Sequence, residues 1–405
     1  MQVTDRALMA DGEDLVARTR SDLLRRNEIF EDFFRAEAPR LARACQEMSH
    51  RFLAGGRLLA FGCGAGTSDA QHVSVEFVHP VIVGKRALPA IDLGPDFESR
   101  LPVLLGADDM VMGFAFPDPD PVVTRALRAA REQGALTFAL AGDGADYSFG
   151  PPDTDPFVCQ EVFEVLYHLL WETVHVYFEH REQGHDVGAA SFLYPFLGTS
   201  EQHLEGVVEQ VQGSMLQKAE EVNRIRATVA GTEVVAICRV AEDIVGRLAR
   251  GGKLIVFGNG GSATDANDLA IDCVAPPAGE RDRFVPIPAI SLAAEPATIT
   301  AIANDIGAEA IFTRQIMAHA RPDDVAVGIS TSGSSPNILS ALHEARKRGL
   351  LTVGIAGYDG GKVVSERLVD HALIVRSDYI PRIQEAQASI YHVLRGRIDE
   401  LRGRN

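Results

Sequence analysis

Two loops of this chain carry residues whose types and spacing suit an anionic ligand. The first, Gly258-Asn259-Gly260-Gly261-Ser262, follows the apolar run LIVF and opens into a helical pattern near Ala263. Glycines let the backbone approach a ligand, and the free N–H groups of a first helical turn attract negative charge. The second, Ser330-Thr331-Ser332-Gly333-Ser334-Ser335, follows AVGI and precedes Pro336 and another helical pattern. It gathers hydroxyl donors at a helix start. Together the loops predict a site for a phosphate monoester that needs no lysine. Capping alone would account for one such serine but not for both loops. A dinucleotide turn is disfavoured, because GxGxxG and an acidic ribose ligand are missing. Two pairs at i,i+4 spacing, His72/Glu76 and Asp268/Asp272, each place two groups on one helix face, where they could grip an ion or a proton.

The elements that must position these residues occur twice. AGGRLLAFGCGAGTSDAQH (Ala54 to His72) aligns with RGGKLIVFGNGGSATDAND (Arg250 to Asp268) at an offset of 196. GADDMVMGFAFPD and ALRAAREQGALTFALAG align with RPDDVAVGISTSG and ALHEARKRGLLTVGIAG at an offset of 215, and QEVFEVLYH with QEAQASIYH at 224. The tandem reads as residues 1–190 and 191–405, joined through the Gly-, Pro- and Ser-containing stretch Gly184 to Ser200. In each copy a long helical pattern, read as a helical hairpin, precedes short, fully apolar strands that alternate with helices. This predicts an α/β fold: two doubly wound domains with parallel sheets covered on both faces. In such sheets ligands sit at the carboxyl ends of the strands, where both glycine turns fall.

Composition narrows the classes. The 405 residues suit two domains of ordinary size. A net charge of −17 argues against a nucleic-acid surface but not against a small anion held by a few aimed donors. The five cysteines are scattered and without CxxC spacing, which predicts reduced thiols in a reducing compartment. Without a signal-peptide pattern or a run of roughly 18 apolar residues, the expected location is cytoplasmic, with no membrane partner.

GNGGSATDAND, AIAND (Ala301 to Asp305), ISTSGSSPN, the GYDGG turn from Gly357 and RIQEAQASIYH resemble the phosphoheptose isomerase branch of the sugar isomerase (SIS) family. The resemblance covers nearly all of copy two and, more weakly, copy one. It implies two tandem SIS domains and an aldose–ketose isomerase acting through an enediol on sedoheptulose 7-phosphate and a heptose 7-phosphate. Zinc is implied, as is a homo-oligomer, here a dimer of pseudo-dimers. The positions implied for phosphate and sugar are Asn259, Gly260, Gly261, Ser262, Asn304, Asp305, Ser330, Thr331, Ser332, Ser335 and Gln384.

The family's metal and acid–base pattern is divided between the copies. Copy one matches it at His72, Glu76, Gln160 and His168, the implied metal set. Copy two has Asp268 and Asp272 in place of His and Glu, then Gln384 and His392. By resemblance the base is Glu76 or Asp272 and the acid His168 or His392. Copy one lacks the hydroxyls: Gly66 stands where Ser262 does, and its second loop reads Phe114-Ala115-Phe116-Pro117-Asp118-Pro119-Asp120, whose carboxylates would repel a phosphate. The chemistry is therefore expected either wholly in copy two or in a site to which copy one lends its acid–base residues. The alternative from another class is a catalytically weak phosphosugar sensor or protein-binding regulatory module.

Overall fold

The computed structural model describes residues 2–80, 85–182, 204–275 and 284–403. The expected linker and the expected boundary at 190/191 lie outside the described residues. The first sheet is formed by β1 (Leu58–Gly62), β2 (Ala90–Asp92), β3 (Met110–Phe114), β4 (Leu136–Leu140) and β5 (Tyr147–Phe149). The helices before and between them are α1 (Gln2–Leu53), α2 (Gly66–Val78), α3 (Phe97–Leu104) and α4 (Pro121–Glu132), and α5 (Pro156–Glu182) follows. The second half supplies α6 (Leu204–Thr232), α7 (Val234–Leu248), β6 (Leu254–Phe257), α8 (Gly261–Val274), β7 (Ala289–Ser291), α9 (Pro296–Asp305) and α10 (Ile311–His319). It continues with β8 (Val325–Ser330), α11 (Pro336–Lys347), β9 (Leu351–Gly357), α12 (Gly361–Ser365), β10 (His371–Val375) and α13 (Ile380–Gly403).

Both sheets are parallel throughout, with the orders β2-β1-β3-β4-β5 and β7-β6-β8-β9-β10. Chain direction across the sheet reverses between the first and third strands of each copy, and such a reversal opens a crevice at their carboxyl ends. The central strands β1, β3, β6 and β8 are buried along their whole length, as their unbroken apolar runs require. Among the described residues no helix is long and apolar enough to cross a membrane.

The chain divides into two compact units, Glu28–Glu221 and Met1–Asn27 with Val222–Asn405. The second unit takes in the start of α1. Leu15 and Leu23 sit in its core with Ile237, Ile244, Val256, Val327 and Ile390, and Asn27 and Asn223 exchange amide-to-carbonyl bonds of 3.0 and 3.1 Å. Copy two is preceded by two helices that meet at Glu233. Where the sequence suggests a hairpin before copy one, α1 instead runs unbroken for 52 residues. Apart from Gly12 and Pro39, that stretch contains neither glycine nor proline to stop it.

One buried aspartate ties together the two strands that flank each crevice. Asp109 accepts from the Arg57 and Gly106 backbone N–H groups, both at 2.8 Å, and from Arg57 Nη2 at 2.7 Å. Asp324 repeats the motif with Lys253 N, Arg321 N and Lys253 Nζ at 3.0, 2.8 and 2.5 Å. Burial pushes the Asp109 carboxyl up, but the bonds from Arg57 and Gly106 outweigh it and hold it below its ordinary value. A depressed carboxyl stabilises the fold above the unfolded-state pKa, near 4, and that contribution is lost as pH falls through the lower folded value. Asp109→Asn is therefore expected to cost about 1–3 kcal/mol at neutral pH. Urea titrations of both proteins should show the gap narrowing on acidification below about pH 4. A gap that stays constant with pH would remove the charged bond from the explanation.

Candidate functional site

In the second unit the two hydroxyl-bearing loops leave neighbouring strands. Gly258–Gly260 follows β6, and Thr331–Ser335 follows β8, which pairs directly with β6. They are clamped to each other by a reciprocal amide pair, Asn259 Nδ2 to Asn337 Oδ1 at 2.9 Å and Asn337 Nδ2 to Asn259 Oδ1 at 2.8 Å. Asn259, assigned to the ligand from the sequence, thus also braces the two loops. Ser330 and Ser335 place their Oγ atoms 3.4 Å apart, while Ser332 accepts the Ser334 N–H at 3.2 Å and is exposed. Gly333 adopts φ +58°, and a Cβ there would strike the Gly360 carbonyl. Only glycine lets these turns close so tightly. Ser262 is buried in the first turn of α8, which has no side-chain cap, and Ser335 does not cap α11, although Asn337 Oδ1 accepts the Ile338 N–H there at 3.0 Å. Backbone N–H groups at such ends attract anions. Asn304 and Asp305 sit at the exposed end of α9, bonded to each other at 2.8 Å.

Further along α8 lies a buried acid–imidazole cluster. His392 Nε2 is 3.3 Å from Asp268 Oδ2 and 3.5 Å from Asp272 Oδ2, and the Tyr391 hydroxyl donates to Asp268 at 2.9 Å. Burial first, and then the neighbouring Asp268 charge, push the Asp272 carboxyl up to about 6, against the pull of His392. On α13, which also carries His392, Gln384 Oε1 and both amide atoms of Gln387 are buried without a hydrogen bond among the described residues. Buried polar groups are normally paired, so these are available to a ligand or water. Gln387 was missed in the sequence, although it lies three residues past Gln384 on the same helix.

The first unit assembles a different cluster. His72 and His168 direct their Nε2 atoms at one another, 3.4 Å apart, and Glu164 brings a carboxylate within 4.8 Å of both. Glu76 stands 3.9 Å from His72 Nε2, whereas Gln160 donates to Asp69 at 2.8 Å. Burial, then the nearby His168, lowers the His72 pKa well below its usual value, so the ring is neutral and able to ligate. A tetrahedral zinc with bonds of about 2.0–2.1 Å requires ligand separations of about 3.3 Å. The 3.4 Å imidazole edge fits, as do the 3.3 and 3.5 Å edges around His392. Glu164 was not among the candidates from the sequence. It lies four residues from both Gln160 and His168, a spacing that marks one helix face.

The crevice of the first unit is filled by its own side chains. A Cβ on Gly66 would lie 2.8 Å from the Phe114 Cβ, so the serine found in copy two has no room. Phe116 stacks on Phe163 at 5.5 Å, and Phe114 meets Tyr167 edge-on at 6.0 Å. Asp120 is not simply a repelling charge: its carboxylate accepts from Val122 N and Val123 N at 2.7 and 3.2 Å. It caps α4 and occupies the N–H groups that an anion would use.

Residues 219–357, which include both hydroxyl-bearing loops, match the SIS domain family. The phosphoheptose isomerase of Solidesulfovibrio magneticus is 45% identical over 175 residues, which cover 43% of this chain and 83% of that protein. The phosphoheptose isomerase of Paramagnetospirillum magneticum is 49% identical over 156 residues, 38% of this chain and 79% of that protein. Nearly the whole chain is similar in fold to the C-terminal domain of glucosamine-fructose-6-phosphate aminotransferase from Francisella tularensis. The TM-score is 0.56 over 94% of this chain and 96% of that one, at 11% identity.

Two expectations follow from this geometry. Replacing Ser332 and Ser335 together with alanine should weaken phosphate-ester binding by about 30- to 150-fold, at roughly 1–1.5 kcal/mol for each lost donor. Asp118→Ala should leave calorimetric titrations unchanged, and equal losses from both changes would place the pocket in the wrong unit. For metal, elemental analysis of the purified protein should show zinc that falls by about one equivalent per chain in His72→Ala/His168→Ala. Unchanged zinc in that variant would exclude the imidazole pair as its ligands.

Proposed function

The chain belongs to the phosphoheptose isomerase family of SIS-domain proteins, and from this we propose that it interconverts a ketose phosphate and an aldose phosphate, with sedoheptulose 7-phosphate and a heptose 7-phosphate as the pair. The observation that carries the proposal is a single helix in copy two. The N-terminus of α8 bears Ser262 beside the Ser330–Ser335 loop, and the same helix bears Asp268 and Asp272 against His392. Six residues separate Ser262 from Asp268, about 9 Å along the axis. A phosphate anchored at the helix start and a carbonyl near the acid–imidazole cluster therefore require a substrate with several carbons between them.

The hydroxyls and N–H groups of the two loops hold the phosphate, remote from the reacting carbons, and supply binding energy that orients the sugar. Asp272, its basicity raised by burial, takes the proton from the carbon beside the carbonyl and, after exchange with solvent at the enediol stage, delivers a proton to the neighbouring carbon. His392 moves the proton between the two oxygens. Gln384 offers its unpaired amide oxygen to a sugar hydroxyl. Zinc, if bound, would be held better by the His72–Glu164–His168 set of the first unit than by the copy-two cluster, and would be a Lewis acid there.

Steady-state kinetics with sedoheptulose 7-phosphate test these roles. Asp272→Asn should lower kcat by about a hundredfold or more while leaving substrate affinity nearly intact. Glu76→Gln should retain most of the activity. Full activity in Asp272→Asn, with a large loss in Glu76→Gln, would overturn the assignment of the base to copy two. Tight binding by the wild-type protein without turnover would mark a phosphosugar sensor instead.

A further inference from the structure

The first unit holds an open polar cleft, away from its glycine turn. It measures about 660 Å³ and is lined by Arg40, Arg43, Arg51 and Arg131 against only two carboxylates, Glu47 and Asp146. It lies at the amino ends of β4 and β5, where Leu136 and Tyr147 begin those strands, so it faces away from the strand ends that carry the Gly62–Gly66 turn. In a chain of net charge −17, a local excess of arginine is not a background feature.

Three of the four arginines are held in place with donors to spare. Arg51 Nη1 bonds the Ala107 and Gly134 carbonyls at 2.6 and 3.1 Å. Arg40 bonds Glu37 at 2.7 Å and the Ser148 carbonyl at 3.0 Å, with its guanidinium 5.0 Å from the Phe149 ring centre. Arg131 uses Nε for Asp146 at 2.7 Å. A guanidinium has five N–H groups, so each anchored arginine keeps free donors. Arg43 is exposed.

Copy two separates what the fold needs from what is additional. Arg247, the counterpart of Arg51, bonds the Pro322 and Gly349 carbonyls at 2.6 and 3.0 Å, and Arg239 and Arg346 stand for Arg43 and Arg131, so these three arginines belong to both copies. The position equivalent to Arg40 is Ala236, and His371 stands for Tyr147. The architecture therefore does not demand Arg40.

We propose that this cleft binds a small molecule bearing a diphosphate group. Guanidinium forks match phosphate oxygens bidentately, and guanidiniums fixed in advance lose little freedom on binding. Glu37, Glu47 and Asp146 offset three of the four arginine charges, so it is the number of guanidinium forks, more than one phosphate can engage, that favours two adjoining phosphates. The volume lies within the range of about 300–1,000 Å³ usual for small-molecule sites.

The test is calorimetric titration of the full chain with inorganic diphosphate, in the Ser332→Ala/Ser335→Ala background that weakens the other anion site. One site per chain is expected, with monophosphate at least about tenfold weaker, as loss of one or two charge-assisted bonds requires. Arg43→Gln and Arg40→Ala should each weaken diphosphate binding by about tenfold or more on the same scale. Arg43 is exposed, so its replacement leaves the fold intact, which a matching thermal transition would verify. Diphosphate affinity unchanged in Arg43→Gln and Arg40→Ala would overturn the proposal, as would equal binding of mono- and diphosphate.

Discussion

The phosphate site proposed for the second unit is built without lysine or arginine among its assigned residues, so hydroxyls and backbone N–H groups must meet the anion at close range. Two loops have to converge from neighbouring strands, and α8 behind the first has to start without a side-chain cap. Glycine is demanded at Gly333, where a side chain would strike the facing carbonyl. The reversal between β6 and β8 brings the loops side by side, the Asn259–Asn337 pair locks them, and Asp324 fixes the far ends of the same strands. The acid–imidazole cluster then follows from the helix that starts in the pocket.

The first unit shows what the same topology becomes when that requirement is lifted. Phe114 occupies the space left by the serine-to-glycine change at Gly66, aromatic rings pack the crevice, and Asp120 satisfies the α4 N-terminus internally. Its helix pair retains two imidazoles and gains Glu164, where copy two has Ala388. The two copies thus differ in side chains at equivalent places: hydroxyl-bearing loops in the second, an imidazole pair with Glu164 in the first.

Much of this was legible in the sequence, because repeated backbone geometry leaves repeated glycines and apolar runs. The blocks at offsets 196, 215 and 224 fall on equivalent strands and helices of the two sheets. The glycine and serine loops stood out because close backbone approach restricts residue type. Asp120 was read as a repelling charge, although an aspartate directly before Pro121 carries the signature of a helix cap. Glu164 and Gln387 escaped because comparison between copies favours shared residues, and each of these is present in one copy alone. The packing of residues before Asn27 into the core of the second unit depends on where a long helix ends up, which its amphipathic pattern does not specify.

The central claim is that a carbon-bound proton moves at the copy-two cluster of a phosphate-anchored sugar. Proton NMR of sedoheptulose 7-phosphate incubated with the protein in D2O measures this directly. An enediol route should wash deuterium into the carbon beside the carbonyl as the aldose phosphate forms, and Asp272→Asn should slow both together. Aldose formation without any deuterium incorporation, or incorporation equally fast in Asp272→Asn, would contradict it.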